Sequence, residues 1–139
     1  MASFPWTTPT SRTTGIATES ITTAAGFVGS EIDNATNLDE YLDLDIAFSC
    51  ETAPAENTVL LVYLLFAVDG TNYEDGSTSV QSKGVPMPVA AFNVTTGQRK
   101  ALTQIPIPPS KFKIAIWNTL DQTAVVTVTA KTYRRGYAA

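Results

Sequence analysis

Three carboxylates and a side-chain amide fall within the octapeptide Asp69-Gly70-Thr71-Asn72-Tyr73-Glu74-Asp75-Gly76. Hard oxygen ligands of this kind suit calcium. Their spacing does not. A helix-loop-helix calcium loop alternates its oxygen ligands and turns on a glycine at the sixth position. Here the third residue is Thr71, the fifth Tyr73 and the sixth Glu74. The octapeptide therefore reads as a solvated, hydrogen-bonded turn. Two carboxylates across a cleft could instead hydrolyse a glycosidic bond. Thirteen acids offer such pairs by chance, and no spacing ties two of them together.

Other catalytic chemistries lack their residues. The chain has no histidine, which removes the commonest acid-base group at neutral pH and the commonest metal ligand. Cys50 is the single cysteine. It cannot form an internal disulfide or a cysteine-based zinc site, and no imidazole stands by to activate it. It reads as a small buried or half-buried side chain. There is no glycine-rich phosphate loop and no serine–histidine arrangement. The expectation is a protein that is not an enzyme, with no cofactor and no metal.

Two further motifs are weak. Asn34-Ala35-Thr36 and Asn93-Val94-Thr95 match the glycosylation acceptor pattern. The basic and aromatic tail from Lys131 to Tyr137 reads as a strand end meeting solvent or an acidic neighbour, not as a nucleic-acid site.

The elements that position these residues are strands. Ten apolar residues, Val59 to Val68, run into the octapeptide. They are too few for a bilayer span, which needs roughly 20. Their content of Val, Tyr and Phe and the abrupt Asp-Gly stop predict a strand covered on both faces. Leu42, Leu44, Ile46 and Phe48 alternate with Tyr41, Asp43, Asp45 and Ala47, which predicts a strand with one wet face. Phe27–Ile32, Val89–Thr95 and Arg99–Ile105 are weaker strand candidates. Pro86 and Pro88 belong at an edge or a crossing. Phe112, Ile114 and Ile116, then Val126, Val128 and Ala130, mark two final strands, read as an antiparallel hairpin about Asn118–Gln122.

Residues 1–23 contain eleven Ser or Thr and two Pro, which reads as an extended N-terminal arm. Residues 24–139 form the folded domain. The fold class is all-β, a two-layer antiparallel sandwich of jelly-roll or immunoglobulin-like topology. Phe4, Pro5 and Trp6 place two aromatics on a polar tail with nothing local to pack against. They and Arg12 are candidate partner contacts, with Asp69, Asn72 and Tyr73 as a second candidate surface.

Charge is segregated along the chain. Twelve of the thirteen acids lie between Thr13 and Ser82, where there is no Lys or Arg. From Lys83 onward there are eight bases and one acid, Asp121. Two outcomes are open. Strands from the two stretches mix in space, or an acidic patch on one copy meets a basic patch on a neighbour. The start Met1-Ala2-Ser3-Phe4-Pro5-Trp6 lacks a basic, apolar export signal, so synthesis in a cytoplasm without export by the standard route is expected.

The ordered set Gly29-Ser30-Glu31-Ile32-Asp33-Asn34, Val62-Tyr63-Leu64-Leu65, the octapeptide 69–76, Ile107-Pro108-Pro109-Ser110-Lys111-Phe112-Lys113, Asn118 and Tyr133-Arg134 resembles small structural proteins of tailed bacteriophages. Some phage proteins of this size are capsid decoration, or cement, proteins. The resemblance covers about residues 26–135 and carries over no catalytic residue. It implies a location in the virion, the major capsid protein or another virion protein as partner, and a homo-oligomer, with no membrane and no direct nucleic-acid contact. The alternative is a carbohydrate-binding module on a tail or fibre, using Tyr73, Trp117 and Tyr137 as flat platforms.

Overall fold

Period-two alternation decides which side chains enter the core. In a computed structural model, which describes residues 11–134, the chain forms β1 (Ser11–Ile21), β2 (Ala25–Val28), β3 (Ile32–Asp33), a single helical turn α1 (Asn34–Asn37), β4 (Tyr41–Ser49), β5 (Val59–Ala67), β6 (Met87–Ala90), β7 (Gln98–Pro106), β8 (Lys111–Asn118) and β9 (Ala124–Tyr133). Leu42, Leu44, Ile46 and Phe48 of β4 are buried and the residues between them are half-buried, as the alternation requires. Phe112, Ile114 and Ile116 of β8 and Val126, Val128 and Ala130 of β9 join the same core.

Two antiparallel sheets face each other across that core. One has the order β1-β9-β4-β7. The other has β2-β8-β5-β6, with β3 also on β8. The pairs β1–β9, β2–β8, β4–β7 and β5–β6 are nested about the β5–β6 connection. The chain is thus one long hairpin rolled into two layers, the jelly-roll topology, and the pairs β4–β9 and β5–β8 close the roll. In an immunoglobulin-like sandwich, by contrast, most sheet neighbours are successive strands.

The expected β8–β9 hairpin is not formed. β8 and β9 lie in different sheets, and residues 119–123 carry the chain across the open end of the sandwich. Asn118, fully buried, donates to the carbonyls of Ile21 (2.8 Å) and Gln122 (2.9 Å) and accepts from the Leu120 amide (2.8 Å). Leu120, also fully buried, plugs that end. Both strands alternate because both turn an apolar face to the same core, from opposite sides.

β5 is covered on both faces. Leu60 and Val62 face the sandwich interior, while Tyr63 and Leu65 pack with Ala115 in a second, smaller cluster. The outer cover is the connection between β5 and β6, not another sheet. It is anchored where the Gly26 amide donates to the Thr78 carbonyl (2.9 Å) and Gln81 Nε2 donates to the Tyr63 hydroxyl (2.9 Å). Gly26 permits this approach. A Cβ there would lie 2.7 Å from Trp117 Cε3 and 2.9 Å from the Ser77 carbonyl oxygen.

The expected strand Val89–Thr95 begins earlier and ends at Ala90, and Pro88 sits in this edge strand, β6. Ser11–Ile21, expected within the arm, is extended but hydrogen-bonded along β9 as an edge strand, β1. Edges are blunted in the ways that discourage strand addition. β7 carries a bulge opposite Leu42–Leu44, with Gln104 at φ 56°, and β1 is irregular between Ile16 and Glu19.

Candidate functional site

Strand direction gathers one candidate surface at a single end of the sandwich. β5 ends at Ala67 opposite Lys111, the start of β8. Residues 69–76 follow there. The octapeptide is a self-satisfied turn: Asp69 Oδ1 accepts from the amides of Thr71 (2.8 Å) and Asn72 (2.7 Å), and Oδ2 accepts from Asn72 Nδ2 (2.7 Å). Those donors, the Asn72 and Thr71 amides foremost, hold the Asp69 carboxyl below its ordinary range. Glu74 is anchored to Phe66 in both directions, its amide donating to the Phe66 carbonyl (3.1 Å) and its Oε2 accepting from the Phe66 amide (3.0 Å). Asp69 thus serves the loop's own donors, and Glu74 serves β5. Among the described residues no group of three His, Cys, Asp or Glu is placed to hold a metal ion.

Tyr73 joins this turn to the sheet. Its hydroxyl donates to Glu31, and Lys113 Nζ lies 4.3 Å from its ring centroid. Glu31 also pairs with Lys111 at 3.4 Å. The Tyr73 bond, then Lys111, draws the Glu31 carboxyl below its usual range against the opposing effect of lost hydration. Burial first, then Glu31, pushes Tyr73 up to about 12. Asp33 is lowered by the hydroxyl and amide of Thr36. Phe66, Val68, Asp69, Asn72, Tyr73 and Glu74 line a shallow hollow of about 420 Å³.

Arg12 stands at the same end, on the other sheet. Its Nη1 donates to both carboxylate oxygens of Asp39 at 2.7 Å, and the Asp39 side chain is fully shielded. Asn34 supports this pair. Its Nδ2 donates to the carbonyls of Asp39 (2.9 Å) and Pro108 (2.8 Å), and its Oδ1 accepts from the Asp39 amide (2.8 Å). Asn34 is fully buried, so this acceptor motif presents no side chain to solvent. Arg12, read from sequence as a partner contact, is engaged within the chain. Phe4, Pro5 and Trp6 lie outside the described residues.

Of the platform aromatics, Trp117 and Tyr73 stand apart. Trp117 is half-buried against the second cluster, the Tyr73 ring is capped by Lys113, and Tyr137 lies outside the described residues. Cys50 is buried, and burial, then Asp121, pushes its thiol up. That is the opposite of nucleophile activation.

The charge stretches interleave. Asp45 pairs with Arg99 (3.4 Å), Glu31 with Lys111, and Asp43 faces Lys131 in register. The exposed pairs contribute little stability, about 0–1 kcal/mol each. They show that strand pairing brings the acidic and basic stretches together.

Sequence reading missed the opposite end. Phe92, expected within a strand, lies beyond β6 and is 75% exposed. Its amide donates to Gln98 Oε1 (2.7 Å) and its carbonyl accepts from Gln98 Nε2 (2.9 Å). The Asn93 side chain donates to the Pro54 carbonyl (2.7 Å). The nearby Thr96-Gly97 turn signal was the one sequence cue that the strand had to stop.

No protein-family model matches this chain. No curated protein matches it in sequence. Among solved structures, the chain is similar to a chain in the structure of infectious bursal disease virus Gx strain, with a TM-score of 0.53 and 11% sequence identity. The match covers 96% of this chain and 34% of that one, so this chain spans about a third of its neighbour's length. At that identity the likeness is one of fold, and the fold is of a kind found in a virus structure.

Proposed function

We propose that this chain is a non-enzymatic structural protein of a virus particle, a decoration or cement protein that binds and stabilises a phage capsid. The observation that carries the reading is the nested roll β1–β9, β2–β8, β4–β7, β5–β6, together with the likeness of this fold to a chain of a virus structure. The chemistry of the side chains supports a binding role. Asp69 and Glu74 are committed to loop hydrogen bonds, Cys50 is buried, and the sequence has no histidine. Such a protein acts by surface. Each copy clamps neighbouring capsid subunits, and many modest contacts sum through multivalency. Its partner is the major capsid protein or another virion protein.

The test uses shells purified without this chain and then incubated with it. Saturable binding at fixed lattice positions, with greater heat tolerance of the shells, is expected. Shells that take up no copies, or take them up with no gain in heat tolerance, overturn the cement reading. Deletion of residues 1–10 leaves Arg12 in place and is expected to weaken loading through loss of Phe4 and Trp6. Undiminished loading removes the arm from the contact.

A further inference from the structure

Ala24 holds a conformation that suits glycine. Its φ is 56°. It stands third in the turn 22–25, closed where the Ala25 amide donates to the Thr22 carbonyl (3.2 Å). A positive φ at that place in a turn calls for glycine or asparagine, because a Cβ crowds the backbone there. The turn bridges the two layers, since β1 ends at Ile21 in one sheet and β2 begins at Ala25 in the other. Among the described residues it is the one connection between β1 and the rest of the roll. Opening it releases two backbone bonds, that of the Ala25 amide and that of the Ala24 amide to the Asn118 carbonyl (2.9 Å). Thr22, Thr23 and Ala24 are exposed, so water reaches the freed amides, and the strain at Ala24 is relieved.

β1 itself is lightly held. Ile16 and Ile21 are its two large apolar residues, and its register on β9 breaks between Ile16 and Glu19. Its side-chain attachments lie at its two ends. Arg12 bonds both carboxylate oxygens of Asp39. At the other end Ile21 is buried in the core, and its carbonyl accepts from Asn118 Nδ2 (2.8 Å). These attachments fix what can fill the place of β1. The occupant must bring a guanidinium to a shielded carboxylate, a branched apolar side chain to the core and a carbonyl to a buried amide. The segment Ser11–Ile21 of a second copy meets all three demands, because it is the same sequence.

We infer that β1 exchanges between copies: the turn 22–25 opens, and Ser11–Ile21 of each copy pairs with β9 of the other. Every bond of the exchanged strand is one that the single chain already makes. No contact outside the turn is lost, and short strained hinges favour such exchange. The exchange is reciprocal, so it closes as a two-fold dimer. It brings like ends together, each with Glu51 beside Ser20, so added salt favours the dimer. The inference rests on the turn and the strand pairing and not on the virion reading, which survives its failure.

Disulfide trapping on the full chain tests it. Ser20 and Val125 are opposed in register and both exposed, and directly opposed sheet neighbours lie within disulfide reach. Cys50 is buried and does not compete. Chains carrying Ser20→Cys alone and Val125→Cys alone are mixed, unfolded in urea, refolded together at high protein concentration and moderate salt, and oxidised. A covalent dimer with one chain of each kind is expected, with far less linkage when either variant is refolded alone. The doubly substituted chain is expected to close the same disulfide, which establishes that the pair can form. Sedimentation velocity then follows the dimer of the chain without added cysteines. Ala24→Gly removes the strain from two closed turns for each dimer that separates, so the dissociation constant is expected to rise roughly tenfold. The inference is overturned if the doubly substituted chain closes its disulfide while the mixture gives no mixed dimer. It is equally overturned by an intact chain that stays monomeric up to about 1 mM, or by a dissociation constant that Ala24→Gly leaves unchanged or lowers.

Discussion

Arg12 Nη1 lies 2.7 Å from both carboxylate oxygens of Asp39, and the Asp39 side chain has no solvent exposure. The pair ties edge strand β1 to the turn that precedes β4. Truncating one partner leaves a buried charge uncompensated, which costs more than the pair contributes. Arg12→Ala is expected to destabilise the fold by about 2–3 kcal/mol, below the 3–5 kcal/mol of a fully buried pair, because Arg12 is partly in water. Pairing it with Asp39→Asn should recover part of that loss, since no buried charge then remains. Urea unfolding of the two single variants and the double variant checks both statements. Equal losses for all three would show that the β1 contact, not the charge, is what matters.

Asn34 is a structural amide. It satisfies the amide and carbonyl of Asp39 and the carbonyl of Pro108. Asn34→Ala removes all three partners at a fully buried position, and a loss of about 3 kcal/mol is expected from unsatisfied buried groups. Asn34→Asp keeps the acceptor but turns a donor into a second buried carboxylate next to Asp39, so it should be at least as damaging. Chemical denaturation measures both. A variant at Asn93, which is exposed and makes one bond to Pro54, should lose about 1 kcal/mol or less.

The Glu31–Tyr73 bond sets opposite pH limits. Glu31 is lowered from 4.5 in the fold. Its contribution is complete above the unfolded value of 4.5 and is lost as pH falls through the lower folded value. Tyr73 is raised from 10.0 to about 12. Its contribution is complete below 10.0 and is lost as pH rises through about 12. Melting temperature followed across both windows should fall more in the intact protein than in Tyr73→Phe. Ultraviolet titration of the intact protein minus Tyr73→Phe should show one phenol ionising near 12. A difference centred on 10.0 would contradict the bond.

Two glycines should respond differently to one methyl group. At Gly26 a Cβ meets Trp117 and the Ser77 carbonyl below van der Waals distance. Gly26→Ala should destabilise by about 1–3 kcal/mol through overpacking and loosen the cover over Tyr63 and Leu65. At Gly97 nothing lies within 4 Å, and its backbone is not in the left-handed region. Gly97→Ala should therefore be neutral or stabilise by up to about 1 kcal/mol through the unfolded state. Thermal unfolding compares them. Equal effects would mean that the β5–β6 connection does not press on β2.

Much of the scaffold was legible in the residues. Period-two runs marked β4, β8 and β9, and the apolar run Val59–Val68 marked a strand buried on both faces. Alternation reports which face is dry, because successive side chains point to opposite sides. It does not report which strand lies alongside. The β8–β9 hairpin is not formed for that reason: both strands show the same core an apolar face, and the chain crosses between the sheets at the end that Asn118 bonds and Leu120 plugs. Phe92 was invisible for a related reason. Its place outside β6 follows from a side-chain clasp by Gln98, six residues away.

The sequence by itself determined an all-β chain, the absence of histidine-based chemistry and the octapeptide turn, because composition and local hydrogen-bonding capacity act within a few residues. Only the tertiary structure decided that the strands nest as a rolled hairpin, that Arg12 closes on Asp39, that the acidic and basic stretches interleave, and that a rigid aromatic and an acidic hollow stand at opposite ends of β5. Each of these joins residues distant in the chain, and such contacts depend on how whole faces bury one another, which no short window of sequence contains.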